Sequence, residues 1–157
     1  MEKLKKLFKP AFGFVILNII GLALGSMWTD PGTTSEWYSS IYKAPWTPPG
    51  WVFGAAWSII AFTFGIFMSL IWVRKNLEAI ALFVTSFILN VLWNPFFFYL
   101  HWVWISSIVI ILLGINIFAL IHLARTQYSW KISFWAFPYA IWLIVATSLN
   151  LYVAIMN

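Results

Sequence analysis

The chain has 157 residues, of which 63% are hydrophobic and only 8% are charged, whereas about a quarter of the residues in an ordinary soluble domain are charged. Nine basic and four acidic side chains cannot form the polar surface that a soluble protein presents to water. The composition therefore excludes a soluble globular domain and indicates that lipid surrounds most of the surface. Cysteine is absent, which excludes a disulfide framework, a thiolate nucleophile and a cysteine metal ligand.

Apolar segments long enough to cross a membrane recur along the chain, and Pro10 suits the first position of the first helix. The predicted helices are residues 10–28, 51–73, 78–100, 102–123 and 133–156. Each approaches or exceeds the roughly 20 residues that span a bilayer. The only long connection is the loop 29–50, which is rich in proline, glycine, serine and threonine. The sequence thus predicts an all-α polytopic membrane protein, with residues 1–157 forming a single antiparallel five-helix bundle.

Basic residues are distributed unequally between the two ends of these helices. Eight of the nine lie on the side of the N-terminus: Lys3, Lys5, Lys6, Lys9, Arg74, Lys75, Arg125 and Lys131. Only Lys43 lies on the opposite side. The positive-inside rule therefore places the N-terminus in the cytoplasm, with the long loop and the C-terminus outside. This bias accounts for the net charge of +5 without a nucleic-acid partner, and anionic lipid headgroups are the expected contact.

Ionisable side chains fall outside the middle of the predicted spans. Asp30, Glu36 and Glu78 lie in loops or at a helix end, and His101 and His122 lie near helix boundaries. A proton-coupled transporter or pump normally needs a carboxylate or histidine buried within the membrane. That class of function is therefore disfavoured.

Uncharged polar side chains recur at helical spacing on two of the predicted helices. Ser86, Asn90 and Asn94 are four residues apart, so they share one face of the third helix. The fifth helix repeats the spacing with Pro138, Trp142, Ala146 and Asn150. Asn90, which has aromatic neighbours, either lines a cavity or joins two helices by a hydrogen bond.

Two further features predict close contacts between helices. Asn18, Asn116 and Asn150 are interpreted as amides that join neighbouring helices by hydrogen bonds. Gly21 and Gly25 form a small-xxx-small pair on the first helix. Packing within the bundle is the favoured interpretation of this pair, and a dimer seam is the alternative.

The twelve tryptophans exceed what interfacial belts usually need. Aromatic residues concentrate in residues 37–57, which cover the loop and the start of the second helix, and in residues 93–104 at the end of the third helix. Both segments lie at the outward face in the predicted orientation. Pro45, Pro48 and Pro49 stiffen the loop as a lid would be stiffened. These observations predict an outward-facing aromatic pocket that suits a flat, apolar, π-rich ligand.

Three motifs together resemble one known family. They are Trp37-Tyr-Ser-Ser-Ile-Tyr-Lys-Ala-Pro-Trp-Thr-Pro-Pro-Gly-Trp51 with Val52-Phe-Gly-Ala-Ala-Trp57; Leu89-Asn90 with Trp93, Pro95, Phe96 and Phe97; and Pro138-Tyr139, Trp142, Ala146-Thr147 and Leu149-Asn150. The motifs occur in the family's order and cover the loop and parts of three helices. The chain resembles the translocator protein family, the tryptophan-rich sensory proteins formerly called peripheral benzodiazepine receptors, and a bacterial member in particular.

The resemblance implies a five-helix membrane receptor, often a homodimer, in a bacterial cell membrane. It implies a pocket near the first loop that binds porphyrins such as protoporphyrin IX, and isoquinoline or benzodiazepine ligands. Carried over by position, the ligand-binding residues are Trp51, Phe53, Gly54, Trp57, Asn90, Trp142, Ala146 and Leu149. The family has been linked to light-dependent porphyrin breakdown, and Trp51 and Trp142 are the matching photochemical, hence catalytic, candidates. No cofactor and no metal are required.

The chain departs from the family pattern at two places. After Tyr152 no Lys or Arg follows, so the C-terminal sterol motif of animal members is incomplete, and sterol transport is not implied. Pro45 also stands one place later than in the usual Lys-Pro-x-Trp form.

Three classes of function remain open at this point. The first is a porphyrin-binding sensor or receptor with photochemical turnover. The second is a transporter of porphyrins or similar apolar molecules, since the missing charged relay argues against ion-coupled transport but not against facilitated passage. The third is a scaffold whose pocket controls a protein partner.

Overall fold

The computed structural model describes the backbone of residues 2–157 and the side chains of residues 9–157. Its helices are α1 (Glu2–Thr33), α2 (Glu36–Ser40), α3 (Gly50–Trp72), α4 (Leu77–Asn94), α5 (Val103–Gln127), α6 (Trp130–Ser133) and α7 (Phe137–Met156). A π-helical turn, Pro95–Tyr99, extends α4, and a 3-10 turn, Phe134–Ala136, joins α6 to α7.

Five helical stretches are long and apolar enough to cross a membrane. They are Lys9–Thr33, Gly50–Trp72, Leu77–Tyr99, Val103–Gln127 and Trp130–Met156. The chain is 86% helical, and no strand occurs in the part that the structure describes. The predicted all-α architecture with five membrane-spanning helices is therefore confirmed.

The first helix is longer than the sequence predicted. α1 runs from Glu2 to Thr33, so Pro10 lies inside the helix and not at its first position, and the helix continues past the end expected at residue 28. Thr29 Oγ1 and Thr33 Oγ1 donate to the carbonyls of Gly25 and Asp30, which keeps these threonines compatible with a helix. Asp30 consequently lies within α1 and not in a loop. The remaining span boundaries lie within four residues of the predicted ones.

Two tight turns fold the middle of the chain into antiparallel helices. Lys75 after α3 and His101 after the π-helical turn have φ angles of 53° and 56°, the left-handed conformation that commonly ends a helix. Asn76 then caps α4, because its Oδ1 accepts a hydrogen bond from the Ala79 N–H at 3.0 Å. The turn at His101 places α5 beside α4, whereas α3 packs mainly against α1.

Glycines allow α1 to approach the adjacent helices closely. A Cβ at Gly65 of α3 would overlap Val15 of α1, whose backbone nitrogen lies only 2.9 Å from that position. Gly21 and Gly25 of α1 face side chains of α4 in the same way. The favoured interpretation of the glycine pair, packing within the bundle, is therefore confirmed.

The core and the outer surface are both apolar. The core side chains that are at most 1% exposed include Phe64, Phe67, Met68, Leu113, Ile117, Leu120 and Leu143. On the outside, Phe62, Ile108 and Ile141 are each more than half exposed. An apolar exterior of this extent is expected of a protein whose solvent is lipid.

Asn150 of α7 connects three helices through hydrogen bonds. Its Oδ1 accepts from Trp93 Nε1 of α4 at 2.7 Å, and its Nδ2 donates to Ser107 Oγ of α5 at 2.7 Å. The same amide group donates to the Val103 carbonyl at 3.2 Å. Asn150 is 2% exposed, so its polar atoms are satisfied without water.

Asn18 and Asn116 also join helices, as the sequence indicated. Asn18 Nδ2 donates to the Ala61 carbonyl of α3 at 3.3 Å. Asn116 Nδ2 of α5 donates to the Leu82 carbonyl of α4 at 2.7 Å. Both amides therefore link one span to the next.

We expect Asn150→Leu to lower the free energy of unfolding by about 1–3 kcal/mol, because it leaves the half-buried Trp93 N–H and the buried Ser107 hydroxyl without their partner. The matched control is Asn90→Leu, since the Asn90 side chain makes no hydrogen bond to any described residue. Thermal unfolding of the purified protein in detergent measures both variants. Equal midpoints for the two would contradict the assignment of Asn150 as a structural link.

Candidate ligand-binding site

A cavity of about 660 Å³ lies between α1, α3, α4 and α7, beneath the loop that joins α1 to α3. Its volume is within the roughly 300–1,000 Å³ of small-molecule sites. Its aromatic lining consists of Tyr38, Phe53, Trp57, Trp93, Phe98 and Trp142. We call the side of the bundle that carries the loop (residues 34–49) the loop face. The predicted arrangement of aromatic residues beneath a loop is present.

The cavity exists because α1 and α3 touch in one half of the bundle and separate in the other. Away from the loop face, Val15 contacts Gly65 and Asn18 bonds to Ala61. Towards the loop face, the two helices no longer fill the space between them, and their facing side chains line the cavity. These side chains are Leu22, Ser26, Thr29 and Thr33 of α1, and Phe53, Trp57 and Ser58 of α3.

Two glycines at the start of α3 keep this space open. Gly50 and Gly54 both line the cavity, and a Cβ at either position would meet no atom within 4 Å. Side chains there would extend into the cavity without touching the protein. The glycines therefore enlarge the site, in contrast to Gly65, where close backbone contact requires the absence of a side chain.

Trp142 forms the α7 wall and has an unsatisfied polar atom. The side chain is 8% exposed, and its Nε1–H has no hydrogen-bond partner among the described residues. Its ring meets Phe53 edge to face, with ring centroids 5.3 Å apart. A buried donor without a partner costs free energy, so this N–H is the polar atom of the α7 wall that a hydrogen bond from a ligand acceptor would stabilise most.

The α4 wall contains one free amide and one that is held in place. Asn94 is fixed because its Oδ1 accepts from Thr29 Oγ1 at 2.7 Å and its Nδ2 donates to the Asn90 carbonyl at 2.9 Å. The Asn90 side chain lines the cavity, and no described residue hydrogen-bonds to it. It can therefore donate to a ligand and accept from one. Of the two interpretations of Asn90, lining a cavity is the one that its position supports.

The loop is attached to α7 along its length. Trp46 Nε1 donates to Ser148 Oγ at 3.2 Å, and the Trp46 ring packs edge to face on Tyr152. Tyr42 N–H donates to Asn157 Oδ1 at 2.9 Å, and Asn157 Nδ2 donates back to the Tyr42 carbonyl at 3.3 Å. These contacts hold the loop across the cavity as a cover.

The short helix α2, which precedes the part of the loop attached to α7, is held by an aromatic contact of its own. Trp37 stacks on His101, with ring centroids 4.0 Å apart and an interplanar angle of 15°. Next to it, Tyr38 lines the cavity, and burial raises the pKa of its phenol, which therefore stays neutral. The Lys43 ammonium lies over the Tyr38 ring, 4.2 Å from its centroid.

Six of the eight residues that the family resemblance assigned to the pocket line this cavity. They are Phe53, Gly54, Trp57, Asn90, Trp142 and Ala146. Trp51 is not among the lining residues and is 74% exposed, and Leu149 is half-buried outside the lining. Trp51 lies about 120° around α3 from Trp57 and in the first turn of the helix, where its side chain is exposed.

The sequence did not assign any α1 residue to the pocket, although α1 supplies a whole wall. The α1 lining residues are Gly21, Leu22, Gly25, Ser26, Thr29, Asp30 and Thr33. The sequence pattern that could have identified them is the spacing of Ser26, Thr29 and Thr33, three and four residues apart, which is typical of one face of a helix. That pattern was hidden because Thr, Asp, Pro and Gly together are typical of a loop.

Among residues 9–157, no group of three His, Cys, Asp or Glu side chains is placed to hold a metal ion. The lining chemistry consists instead of aromatic rings, two amides, hydroxyls and one carboxylate.

Comparison with known proteins agrees with this architecture. The TspO/MBR family model matches residues 14–156. The tryptophan-rich protein TspO of Archaeoglobus fulgidus is 28% identical over 145 residues, which is 90% of this chain and 94% of that relative. The translocator protein of Homo sapiens is 30% identical over 150 residues, 90% of this chain and 86% of that relative. Protein CrtK of Rhodobacter capsulatus is 33% identical over 130 residues, 77% of this chain and 78% of that relative.

The family match begins inside α1 and ends at the last residue of α7, so it includes every helix that contributes to the cavity. The three relatives match most of their own lengths as well, and no large part of the chain stands outside the similarity. This chain is an integral membrane protein that belongs to the TspO/MBR family.

Proposed function

We propose that this protein is a membrane receptor for planar, apolar ring compounds, with porphyrins such as protoporphyrin IX as its main ligand class. Isoquinoline and benzodiazepine compounds belong to the same class of flat, π-rich ligands. The observation that carries the proposal is the covered cavity in which Trp57 and Trp142 stand beside Phe53. Aromatic faces of this kind bind a flat ring by stacking and by edge-to-face contacts.

The polar groups of the cavity support binding of a ring that carries heteroatoms. The free Asn90 amide and the unpaired Trp142 N–H are two donors among the aromatic rings of the lining. A few fixed polar groups within an apolar site orient a ligand and give it specificity. The cover formed by the loop reduces contact between the bound ring and water.

Light-dependent porphyrin breakdown is the catalytic part of this proposal. An indole in contact with a photoexcited porphyrin can transfer an electron to it, which oxidises the indole and reduces the porphyrin. Dissolved dioxygen is the oxidant that the later breakdown of the ring requires. Trp142 and Trp57 are the candidates, because both line the cavity. Trp51, the other candidate from the family resemblance, is exposed and is not among the lining residues, so Trp57 is the better placed of the two.

Filling the cavity should abolish ligand binding without unfolding the protein. In Gly54→Leu the new side chain enters the cavity, and we expect the affinity for protoporphyrin IX to fall by about tenfold or more. The control is Gly114→Leu on α5, where a Cβ also meets nothing within 4 Å but the residue lies outside the lining. Quenching of tryptophan fluorescence in the dark measures both affinities. Unchanged binding in Gly54→Leu would refute the site.

Substitution of the lining tryptophans tests the photochemical step. We expect Trp57→Phe and Trp142→Phe to bind porphyrin in the dark, since phenylalanine still stacks, and to slow its light-driven loss on the order of tenfold. Trp51→Phe is the control and should retain the wild-type rate. Decay of the porphyrin absorption bands under constant illumination measures the rate. Equal decay in all three variants would exclude a tryptophan-dependent reaction.

The orientation in a bacterial cell membrane, with the N-terminus in the cytoplasm, is a further part of the proposal. The unequal distribution of basic residues supports it. The chain has no cysteine, so single cysteines can report topology. An impermeant maleimide should label Ser40→Cys in intact cells, and should label Thr126→Cys only after permeabilisation. The reverse pattern would overturn the orientation.

A homodimer is the last part of the proposal, and it rests on the family resemblance. Gly21 and Gly25 are unsuited to a dimer seam, because α4 of the same chain already covers them. The exposed apolar face of α5, which includes Ile108, Leu112 and Ile115, is open to a second copy or to lipid. The mass of the protein in lipid nanodiscs distinguishes a dimer from a monomer.

A further inference from the structure

We infer that Asp30 makes the cavity selective for the charge of its ligand, favouring ring compounds that carry a cationic group over those that carry carboxylates. This inference rests on the proposed function, because it concerns which members of the ring-compound class the same cavity prefers. Within residues 9–157, Asp30 is the one charged side chain among the lining residues.

The position of Asp30 places its charge at the edge of the cavity. It lies in the last turns of α1, next to Thr29 and one turn before Thr33, which both line the cavity as well. Asp30 is exposed, whereas the aromatic residue Trp142 on the α7 side is buried. A ligand whose ring lies against Trp142 and Phe53 shares the cavity with Asp30, so a charged substituent that reaches the α1 wall lies near this residue.

No cation in the described part of the chain offsets this carboxylate. The hydrogen bonds recorded for Asp30 involve its backbone carbonyl, which accepts from the hydroxyls of Thr33 and Thr34. Lys43, the basic residue of the loop, holds its ammonium over the Tyr38 ring and is not part of the lining. The cavity therefore presents a negative charge and no positive one.

The effect of this charge on a ligand follows from electrostatics near a membrane. Two like charges repel more strongly where apolar protein and lipid replace water, because the effective dielectric constant is lower there. A ligand carboxylate near Asp30 would lose affinity, and a ligand ammonium would gain it. Because Asp30 is exposed, water and salt screen the interaction, and the expected effect is modest.

Three porphyrins with the same macrocycle but different substituent charges distinguish the effect of charge on affinity from the effect of the ring. They are protoporphyrin IX with two carboxylates, its neutral dimethyl ester, and its diamide with ethylenediamine, which carries two ammonium groups. At low ionic strength the wild-type protein should bind the diamide most tightly and the dicarboxylate least tightly. Tryptophan quenching in the dark, with the protein in neutral-lipid nanodiscs, measures all three affinities.

The variant Asp30→Asn should reduce these differences. We expect it to bind the dicarboxylate about two- to fivefold more tightly and the diamide about two- to fivefold more weakly, with the ester unchanged. The matched control is Glu36→Gln, which removes an equal charge from α2 at the same face but outside the lining. The control should leave the order of the three affinities as in the wild type.

The outcomes distinguish this inference from the proposed function. If none of the three porphyrins binds the wild-type protein, the proposed function fails, and the inference fails with it. If all three bind with affinities that Asp30→Asn leaves unchanged, the ring site stands and the role of Asp30 is refuted. If Glu36→Gln changes the affinities as much as Asp30→Asn does, the change is caused by the total charge of the loop face and not by Asp30 in the cavity. That result also overturns the inference.

Discussion

The contact between Gly65 and Val15 is the constraint on which the cavity depends. No side chain fits between the two backbones at that point, so α1 and α3 meet there as closely as helices can. The Asn18 amide fastens the same crossing through the Ala61 carbonyl. The cavity lies between the same two helices towards the loop face, beyond this crossing.

Other parts of the structure keep that space from collapsing. Gly50 and Gly54 leave the α3 wall without side chains at two positions, and Asn150 holds Trp93 in place through a buried hydrogen bond. The loop is fixed to α7 by Trp46 and Tyr42, so it covers the space without filling it. The cavity therefore results from separate contacts on each of its sides, which is typical of a site that is formed before its ligand arrives.

The distribution of polarity gives the cavity two different ends. The α7 side presents aromatic rings and one N–H without a partner, whereas the α1 side presents hydroxyls and the Asp30 carboxylate. A ligand that satisfies both ends is amphiphilic, with a flat apolar body and a polar edge. This asymmetry connects the packing of α1 with the chemistry of recognition.

Much of this protein could be predicted from its sequence, because lipid imposes strict rules on composition. Apolar segments of about 20 residues must be helices in a bilayer, since a backbone without internal hydrogen bonds is too costly there. The motifs around Trp57, Asn90 and Trp142 also led to six residues that do line the cavity. Motif similarity identifies residues by their position in the chain. The identified residues line the cavity where those positions lie on the inward-facing side of a helix.

The tertiary structure decided what depends on helical phase and on neighbours distant in sequence. Trp51 and Trp57 belong to the same motif, but Trp51 is exposed in the first turn of α3, whereas Trp57 lines the cavity. The extension of α1 to Thr33 brought Asp30 to the cavity edge, although its sequence surroundings are those of a loop. The sequence by itself determined the number of membrane-spanning segments and their helical structure, because these depend on the free energy of transferring each segment from water into lipid. Only packing determined which faces meet, because that choice depends on contacts such as Gly65 with Val15 that no single segment contains.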